Sequence, residues 1–357
     1  MTVTAAQARI RPAMNPRRYL GTAWRHPILR AIVKAILTIL VATSITFVLI
    51  RLLPGNPIDL RIDELTRDGS VTYEQALDQV SAIYPIDLET PLPVQFLTYL
   101  WNVIRGDLGT SFLSVGVPVT SIILAVLPWT LFAVGTGLLL SFAVGVGLGL
   151  VAAYRRGSFF DQAVTTTGSI VSSVPNYLVA ILIVLVFGIQ LRLLPITQMR
   201  GAFSPGIQPG FTFEFIGDVL FHAALPIFVF FLTHIGHWIL SMRSATLAAL
   251  EEDYVVAARA RGLPDSRITT AYVGRNAALP LVTQLAISVG FIVGGAVLIE
   301  QIFLYQGVGL RLVRAVAQRD YSVMQGILLL VTVSVVVANL AADLLYSKLD
   351  PRIGRAA

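Results

Sequence analysis

The hydrophobic residues of the chain are concentrated in long runs that short polar segments separate. At 1.5 Å per residue, a helix of about 20 apolar residues crosses the ~30 Å hydrocarbon core of a bilayer. The pattern therefore predicts an all-α polytopic membrane protein with six transmembrane helices. The runs cover approximately residues 32–53, 121–154, 163–190, 219–242, 281–298 and 323–345.

Small residues and one proline predict how these helices pack and bend. Glycines let helix backbones approach closely in lipid, where burial of apolar side chains supplies little drive for association. The third run contains the sequence VSSVP, residues 171–175, in which the proline predicts a kink. The glycines are Gly135, Gly137, Gly145, Gly147 and Gly149 in the second run and Gly290, Gly294 and Gly295 in the fifth.

Charged residues assign the polar segments to the two sides of the membrane. Residues 1–29 form a basic tail with five arginines and no acid, which the positive-inside rule places in the cytoplasm. The segment 54–117 has nine acidic residues and three arginines, which suits the outer face. With a first helix at 30–53 and a five-helix core over 118–347, we expect both termini in the cytoplasm, the second as a tail at 348–357.

Two outer segments have patterns of their own. Apolar positions at helical spacing predict a short helix over 71–84, which Pro85 ends. The segment 54–117 is therefore either a small external cap or a linker that carries a surface helix. Residues 303–321 are too apolar for a free loop, and we expect them to dip back toward the membrane.

The amino-acid composition is typical of a membrane protein and excludes several kinds of binding site. Hydrophobic residues make up 55% of the 357 residues and charged ones 13%, against about 25% in globular domains. The chain has no cysteine, which excludes disulfides and thiolate metal sites. The net charge of +6 comes from arginines beside apolar runs, where it sets membrane orientation, so no nucleic-acid binding is predicted.

A charged segment, residues 251–280, lies between the fourth and fifth runs. Acids at its start and arginines one to two turns later suit a short helix over 253–261, which Gly262 ends. Asp265 is expected to cap a second helix over 266–278.

One face of the first of these helices combines alanines with larger side chains. Tyr254, Ala257, Ala258 and Arg261 recur at the three-to-four spacing of one helix face, and the alanines would let another surface come close. From the residues alone, the segment is either a docking element or an ordinary positive loop.

Several classes of chemistry lack their motifs in this sequence. The phosphate-binding motif GxxxxGK[ST] is absent, because neither Lys34 nor Lys348 follows a glycine. The middles of the runs carry no acid, which argues against an ion-coupled carrier or channel that acts alone; Glu300 lies at the outer end of the fifth run. No recognisable catalytic set supports a membrane protease.

The histidines of the fourth run raise a metal hypothesis. His234 and His237 are one helical turn apart, as two ligands of one metal could be. No third ligand is adjacent, so bonds to the backbone or to neighbouring helices are favoured and no metal site is predicted. His234, His237 and Glu300 are kept as candidate pathway residues.

Motifs in order along residues 32–354 resemble the permease subunits of ABC importers, in the branch that carries peptides and nickel. Val256 stands where many members have a glutamate, and Asn56 where an aspartate is usual. The motifs are RLLPGNP (51–57), RGDLG (105–109), VPNYL (174–178), AARARGL (257–263), RNAALP (275–280), GGAVLIEQIF (294–303), YQGVGL (305–310), RDYSVMQG (319–326) and LDPRI (349–353).

The resemblance implies the type I importer permease fold, six helices with an extracytoplasmic segment, in the plasma membrane of a prokaryote. It implies a second permease, two ATP-binding subunits that hold ATP and magnesium, and an extracytoplasmic solute-binding protein. This chain would have no cofactor or catalytic site of its own. Its cargo would be dipeptides or oligopeptides; the alternatives are nickel chelates, glutathione or another small solute.

The resemblance also implies a role for the charged segment. Residues 243–280 would form a cytoplasmic coupling loop whose helix, at 253–262, docks on an ATP-binding subunit. The residues expected to make this coupling are Tyr254, Ala257, Ala258, Arg259, Arg261 and Gly262.

Overall fold

The computed structural model describes residues 27–52, 62–63, 65–67, 69, 71–83, 90–114, 116–295 and 297–349. These residues form helices and loops, with one isolated β-bridge between Thr110 and Pro118. The helices are α1 (Pro27–Arg51), α2 (Tyr73–Ile83), α3 (Leu92–Ile104), α4 (Val119–Tyr154), α5 (Phe159–Ser173), α6 (Asn176–Ile183), α7 (Phe213–Leu250), α8 (Asp253–Ala260), α9 (Asp265–Arg267), α10 (Arg275–Gly290), α11 (Ile292–Gly295), α12 (Val297–Phe303), α13 (Val308–Ala317) and α14 (Tyr321–Leu349).

Some of the predicted features lie outside the described residues. They are the basic tail up to residue 26, most of the RLLPGNP motif, Pro85 and the tail from residue 350. The helix predicted over 71–84 is present as α2.

The all-α polytopic class is confirmed by the length and apolarity of the described helices. Four of them, α1, α4, α7 and α14, are each long enough to cross a bilayer. Helix α5 makes a fifth span if it is counted together with α6 and the π-helical stretch Val184–Gln190 that continues it, although the two halves are bent by 94°. The bend occurs at Val174, whose extended backbone (φ −91°, ψ 123°) is the conformation that a following proline favours. The predicted kink is therefore a sharp break.

The fifth predicted span, residues 281–298, is not one continuous helix. It is divided among α10, α11 and α12. A Cβ atom on Gly290 would overlap Ala338 of α14, so this glycine permits close contact at the cost of helix propensity. The helix α10 ends at that residue.

Helices α4 and α7 form the centre of the fold and touch nearly backbone to backbone. A Cβ atom on Gly137 or Gly145 would lie 2.6 Å from the Cβ atom of Phe230 or Trp238, respectively. On Gly149 it would lie 2.5 Å from the carbonyl oxygen of Ile239. These three glycines confirm the predicted packing role. By contrast, Gly147 faces open space.

The apolar segment predicted to dip back toward the membrane is a helix, α13. Its buried residues Val308 and Ala315 pack in one cluster with Ile123 of α4 and Met324 of α14. The segment is apolar because it covers the ends of two long helices.

Candidate functional site

Helix α8 confirms the helix predicted over 253–261 and begins three residues after the last residue of α7. At its end, the Gly262 N–H donates to the Arg259 carbonyl at 2.9 Å and the Leu263 N–H to the Ala258 carbonyl at 3.3 Å. This is the bond pattern of a Schellman motif. Gly262 has a φ of 73°, in the left-handed region that glycine adopts readily. Gly262 therefore ends the helix as predicted.

The prediction for the second helix of the segment is wrong in two details. Asp265 is not the cap but the first helical residue, and Pro264 occupies the cap position without a side-chain bond. The chain then continues from α9 through a π-helical stretch, Ile268–Gly274, directly into α10. The helix therefore does not end at residue 278, and Pro280 lies inside α10.

The inner face of α8 packs against the rest of the same chain. Val255 is fully buried and Ala258 is 4% exposed. They share an apolar cluster with Ile268 and Val273, and Tyr254 packs against its edge. The sequence suggested that the small side chain of Ala258 would let a partner approach. In the structure Ala258 instead packs against residues of its own chain.

The exposed residues beside this buried face include Val256, Ala257 and Arg259 of α8 and Arg261 just past its end, and these four are hereafter called the open face. All four are exposed, and Val256 has 62% of its surface accessible. The face therefore combines an apolar strip with two guanidinium groups. Of the residues predicted to share a face with Ala258, Ala257 and Arg261 belong to the open face instead. Ala257 is turned away because neighbours along a helix differ by 100°, and Arg261 lies past the last residue of α8.

The charged segment contacts the C-terminal ends of two long helices, α4 and α7. The Tyr154 hydroxyl at the end of α4 donates to the Asp265 carbonyl at 3.1 Å. From α7, the partly buried Ala249 and Leu250 pack against the apolar cluster under α8. The charged segment is thus held to α4 by a hydrogen bond and to α7 by apolar packing.

A buried ion pair near the same end was not found from the sequence. Arg243 of α7 donates through Nε and Nη2 to the two carboxylate oxygens of Asp161 at 2.6 and 2.8 Å. Asp161 also accepts from the Gly157 N–H at 2.9 Å, while its own N–H donates to the Ser158 hydroxyl. The Ser158-x-x-Asp161 spacing of a capping box was the available signal.

On the other side of the molecule, Glu300 is the centre of a buried network, hereafter the outer clamp. Its side chain accepts from the Thr130 hydroxyl at 2.6 Å and from the Leu310 N–H at 3.0 Å. The Thr130 oxygen in turn accepts from the Val308 N–H at 2.8 Å. Glu300 is 1% exposed. This candidate pathway residue thus joins α4, α12 and α13 in the structure rather than facing an open space.

Two glycines and a tyrosine complete the outer clamp. A Cβ atom on Gly307 would collide with the Glu300 carboxyl group, and one on Gly309 would lie 2.5 Å from the Cα atom of Val297. The Tyr305 hydroxyl donates to the Trp129 carbonyl at 3.2 Å. Burial, and then the nearby Glu300 charge, raise the pKa of the Tyr305 phenol, so it remains a donor.

The two candidate histidines of α7 have different partners. The His234 Nδ1 atom lies 3.0 Å from the Phe230 carbonyl of its own helix. The His237 Nε2 atom lies 2.9 Å from the amide nitrogen of Gln284 on α10. Among the described residues, no three His, Asp or Glu side chains are grouped as they would be to hold a metal ion.

Comparison with known proteins gives the family of the chain. Residues 145–355 match the family described as binding-protein-dependent transport system inner membrane component. The oligopeptide transport system permease protein of Bacillus subtilis (strain 168) is 32% identical over 91% of this chain and 98% of that protein. The di/tripeptide transport system permease protein of Pseudomonas aeruginosa (strain UCBPP-PA14) is 33% identical, covering 87% and 93%.

A third relative is more similar still. A protein of Brucella suis biovar 1 (strain 1330), provisionally named a peptide permease protein, is 36% identical over 88% of this chain and 94% of its own length. The family is that of multi-pass membrane subunits, which agrees with the apolar helices described above. The chain belongs to the family of inner-membrane components of binding-protein-dependent transport systems.

Proposed function

We propose that this chain is a permease subunit of an ATP-driven importer and that the open face of α8 docks on an ATP-binding partner. The single observation that carries the proposal is the two-sided burial of α8. Its inner face is buried in this chain, whereas Val256, Ala257, Arg259 and Arg261 are presented outward. An apolar strip beside arginines suits a protein partner, because arginines add charge-assisted bonds at the rim of an apolar contact.

The anchored inner face explains how docking would move the transmembrane helices. ATP binding would shift the partner, and α8 would follow it. Because α8 packs against the end of α7, and Asp265 of α9 accepts a hydrogen bond from Tyr154 of α4, both long helices would be displaced as the pathway changes its accessible side. Such coupling requires that the partner bind the two states of the permease with different free energies.

The proposed assembly contains three kinds of protein besides this chain, and it lies in the lipid bilayer. A second, homologous permease would complete the pathway, and two ATP-binding subunits would hold ATP and magnesium. A solute-binding protein would deliver cargo on the outer side. Both termini and α8 would then lie in the cytoplasm, as the arginine distribution of the sequence requires.

The proposed cargo is a dipeptide or oligopeptide. The proposal relies on the relatives named above as oligopeptide and di/tripeptide permease proteins, which align with nearly the whole chain. No observation in the structure favours nickel chelates, glutathione or transport without ATP.

Co-purification tests the docking role. The variant Ala257→Glu places a charge on the open face, where the side chain is exposed and the fold has room for it. We expect the complex in mild detergent to lose most of its ATP-binding subunits and ATPase activity. Ala317→Glu, the same change at an exposed residue that ends α13, is the matched control and should retain them. Full recovery of both subunits and activity with Ala257→Glu would refute the docking assignment.

A further inference from the structure

A cavity of about 300 Å³ lies between the outer part of α4 and helix α13. Ile122 and Val126 form one wall, and Leu310 extends the apolar surface. The polar groups come from Arg311, Arg314 and Gln306. A volume of this size is at the lower end of the range for small-molecule sites.

The positive charge of this cavity is not neutralised within the described part of the chain. None of the described lining residues is acidic. Two nearby carboxylates, Glu300 and Asp320, are bound elsewhere. Glu300 is held in the outer clamp, and Asp320 accepts from the Ser111 hydroxyl and from the Phe112 and Val323 N–H groups. Among the residues that the structure describes, neither arginine is given an ion-pair partner.

One of these arginines also has an unsatisfied buried atom. The Nε atom of Arg311 is shielded from solvent and has no hydrogen-bond partner. Leaving a buried charged donor unpaired is costly, and native proteins keep few of them. An anion in the cavity would give the two lining arginines a counter-charge, and a planar guanidinium presents its N–H donors in the fixed geometry that a carboxylate accepts.

We propose that this cavity binds the C-terminal carboxylate of a peptide, with Arg311 as the main contact and Arg314 as a second charge. The apolar wall of Ile122 and Val126 would hold the adjacent side chain of the peptide. This inference rests on the proposed peptide cargo and deepens it, because it names the group by which the permease would recognise that cargo. A peptide amide would lack the negative charge and bind more weakly.

The chain provides a simple probe of this cavity because it has no cysteine of its own. In the complete importer with its binding protein, Ala125→Cys places a single thiol of this chain at an exposed position in the cavity wall. The probe ligands are the tripeptide Ala-Ala-Leu and its C-terminal amide. At a free-acid concentration about three times the Kd, labelling of the thiol by a maleimide should slow about fourfold by mass action.

Two further variants locate the effect. Adding Arg311→Gln should raise the Kd of the free acid about tenfold, the cost of a lost charge-assisted bond, so that the same concentration slows labelling only about 1.3-fold. Arg200→Gln removes an exposed positive charge from the loop before α7 and should leave protection unchanged. Equal protection by acid and amide, or protection that survives Arg311→Gln, would overturn the proposal. Protection without peptide that disappears when phospholipid is exchanged for detergent would also overturn it and assign the cavity to a lipid phosphate.

ATP-dependent uptake of the tripeptide by the wild-type complex separates this inference from the proposed function. Uptake without differential protection of the thiol would reject the carboxylate site alone. Absence of uptake for any of a series of peptides, in a complex that hydrolyses ATP, would reject the peptide cargo itself.

Discussion

The outer clamp and helix α8 differ in which side chains they bury and which they expose. In the outer clamp, the charged group is the buried one: Glu300 is 1% exposed and its donors all come from this chain. In α8, Val255 and Ala258 are buried, whereas Val256, Ala257 and the arginines are exposed. The comparison teaches that a charge directed inward closes a structure on itself, whereas charges directed outward leave a surface for another molecule.

The largest effect on stability should come from removing the central carboxylate of the outer clamp. Replacement Glu300→Ala would leave the Thr130 hydroxyl and the Leu310 N–H without their acceptor, at about 2 kcal/mol for each buried group. We expect a clear drop in the Tm of the purified chain in detergent. Glu214→Ala, at an exposed acid in the first turn of α7, is the control and should change stability by only about 0.5 kcal/mol. Equal Tm values for the two variants would contradict the clamp.

A smaller effect on stability is expected at the ion pair between Asp161 and Arg243. Asp161 is almost completely buried, and both of its oxygens accept from Arg243. A double-mutant cycle with Asp161→Asn and Arg243→Gln should give a coupling free energy of about 1–2 kcal/mol in thermal unfolding. A coupling near zero would mean that the pair does not hold α5 against α7.

The end of α8 should respond to backbone conformation alone. A Cβ atom at Gly262 would meet no neighbour within 4 Å, so Gly262→Ala costs only the left-handed conformation, about 1 kcal/mol. We expect ATP-dependent uptake to fall with Gly262→Ala and to fall less with Gly262→Asn, because asparagine tolerates this conformation. The reverse order of the two variants would show that the turn does not depend on its φ angle.

The histidines should have the smallest effect, because neither belongs to the clamp or to the open face. His234 bonds to its own helix, and His237 is exposed and contacts Gln284. In the combined variant His234→Ala with His237→Ala, each loss removes one ordinary hydrogen bond of about 1 kcal/mol. Uptake rate and KM should stay within about twofold of wild type. A larger change would restore both residues as pathway candidates.

Much of the fold could be predicted from the sequence because hydrophobic runs report burial in lipid directly. The boundaries of α4 and α8, the stop at Gly262 and the break at Val174 all followed from local patterns. The division of the fifth predicted span did not, because it depends on contact between Gly290 and α14, far along the chain.

The site was only partly predictable for the same reason. Spacing placed Ala257 and Ala258 on a helix, but which of the two faces inward depends on Ile268 and Val273, which follow in the next segment. The partners of Glu300 are separated from it by up to 170 residues, so its buried role had no local signal.

The glycine contacts of α4 with α7 have a mechanical consequence. Where backbones touch without intervening side chains, two helices cannot slide past each other without losing the contact along its whole length. Gly168 of α5 comes similarly close to Gly236 of α7, so α4, α5 and α7 form one closely packed unit. Helix α6 lies outside this unit, after the 94° break at Val174. We expect the break at Val174, rather than any interface inside the packed unit, to bend when the permease changes conformation.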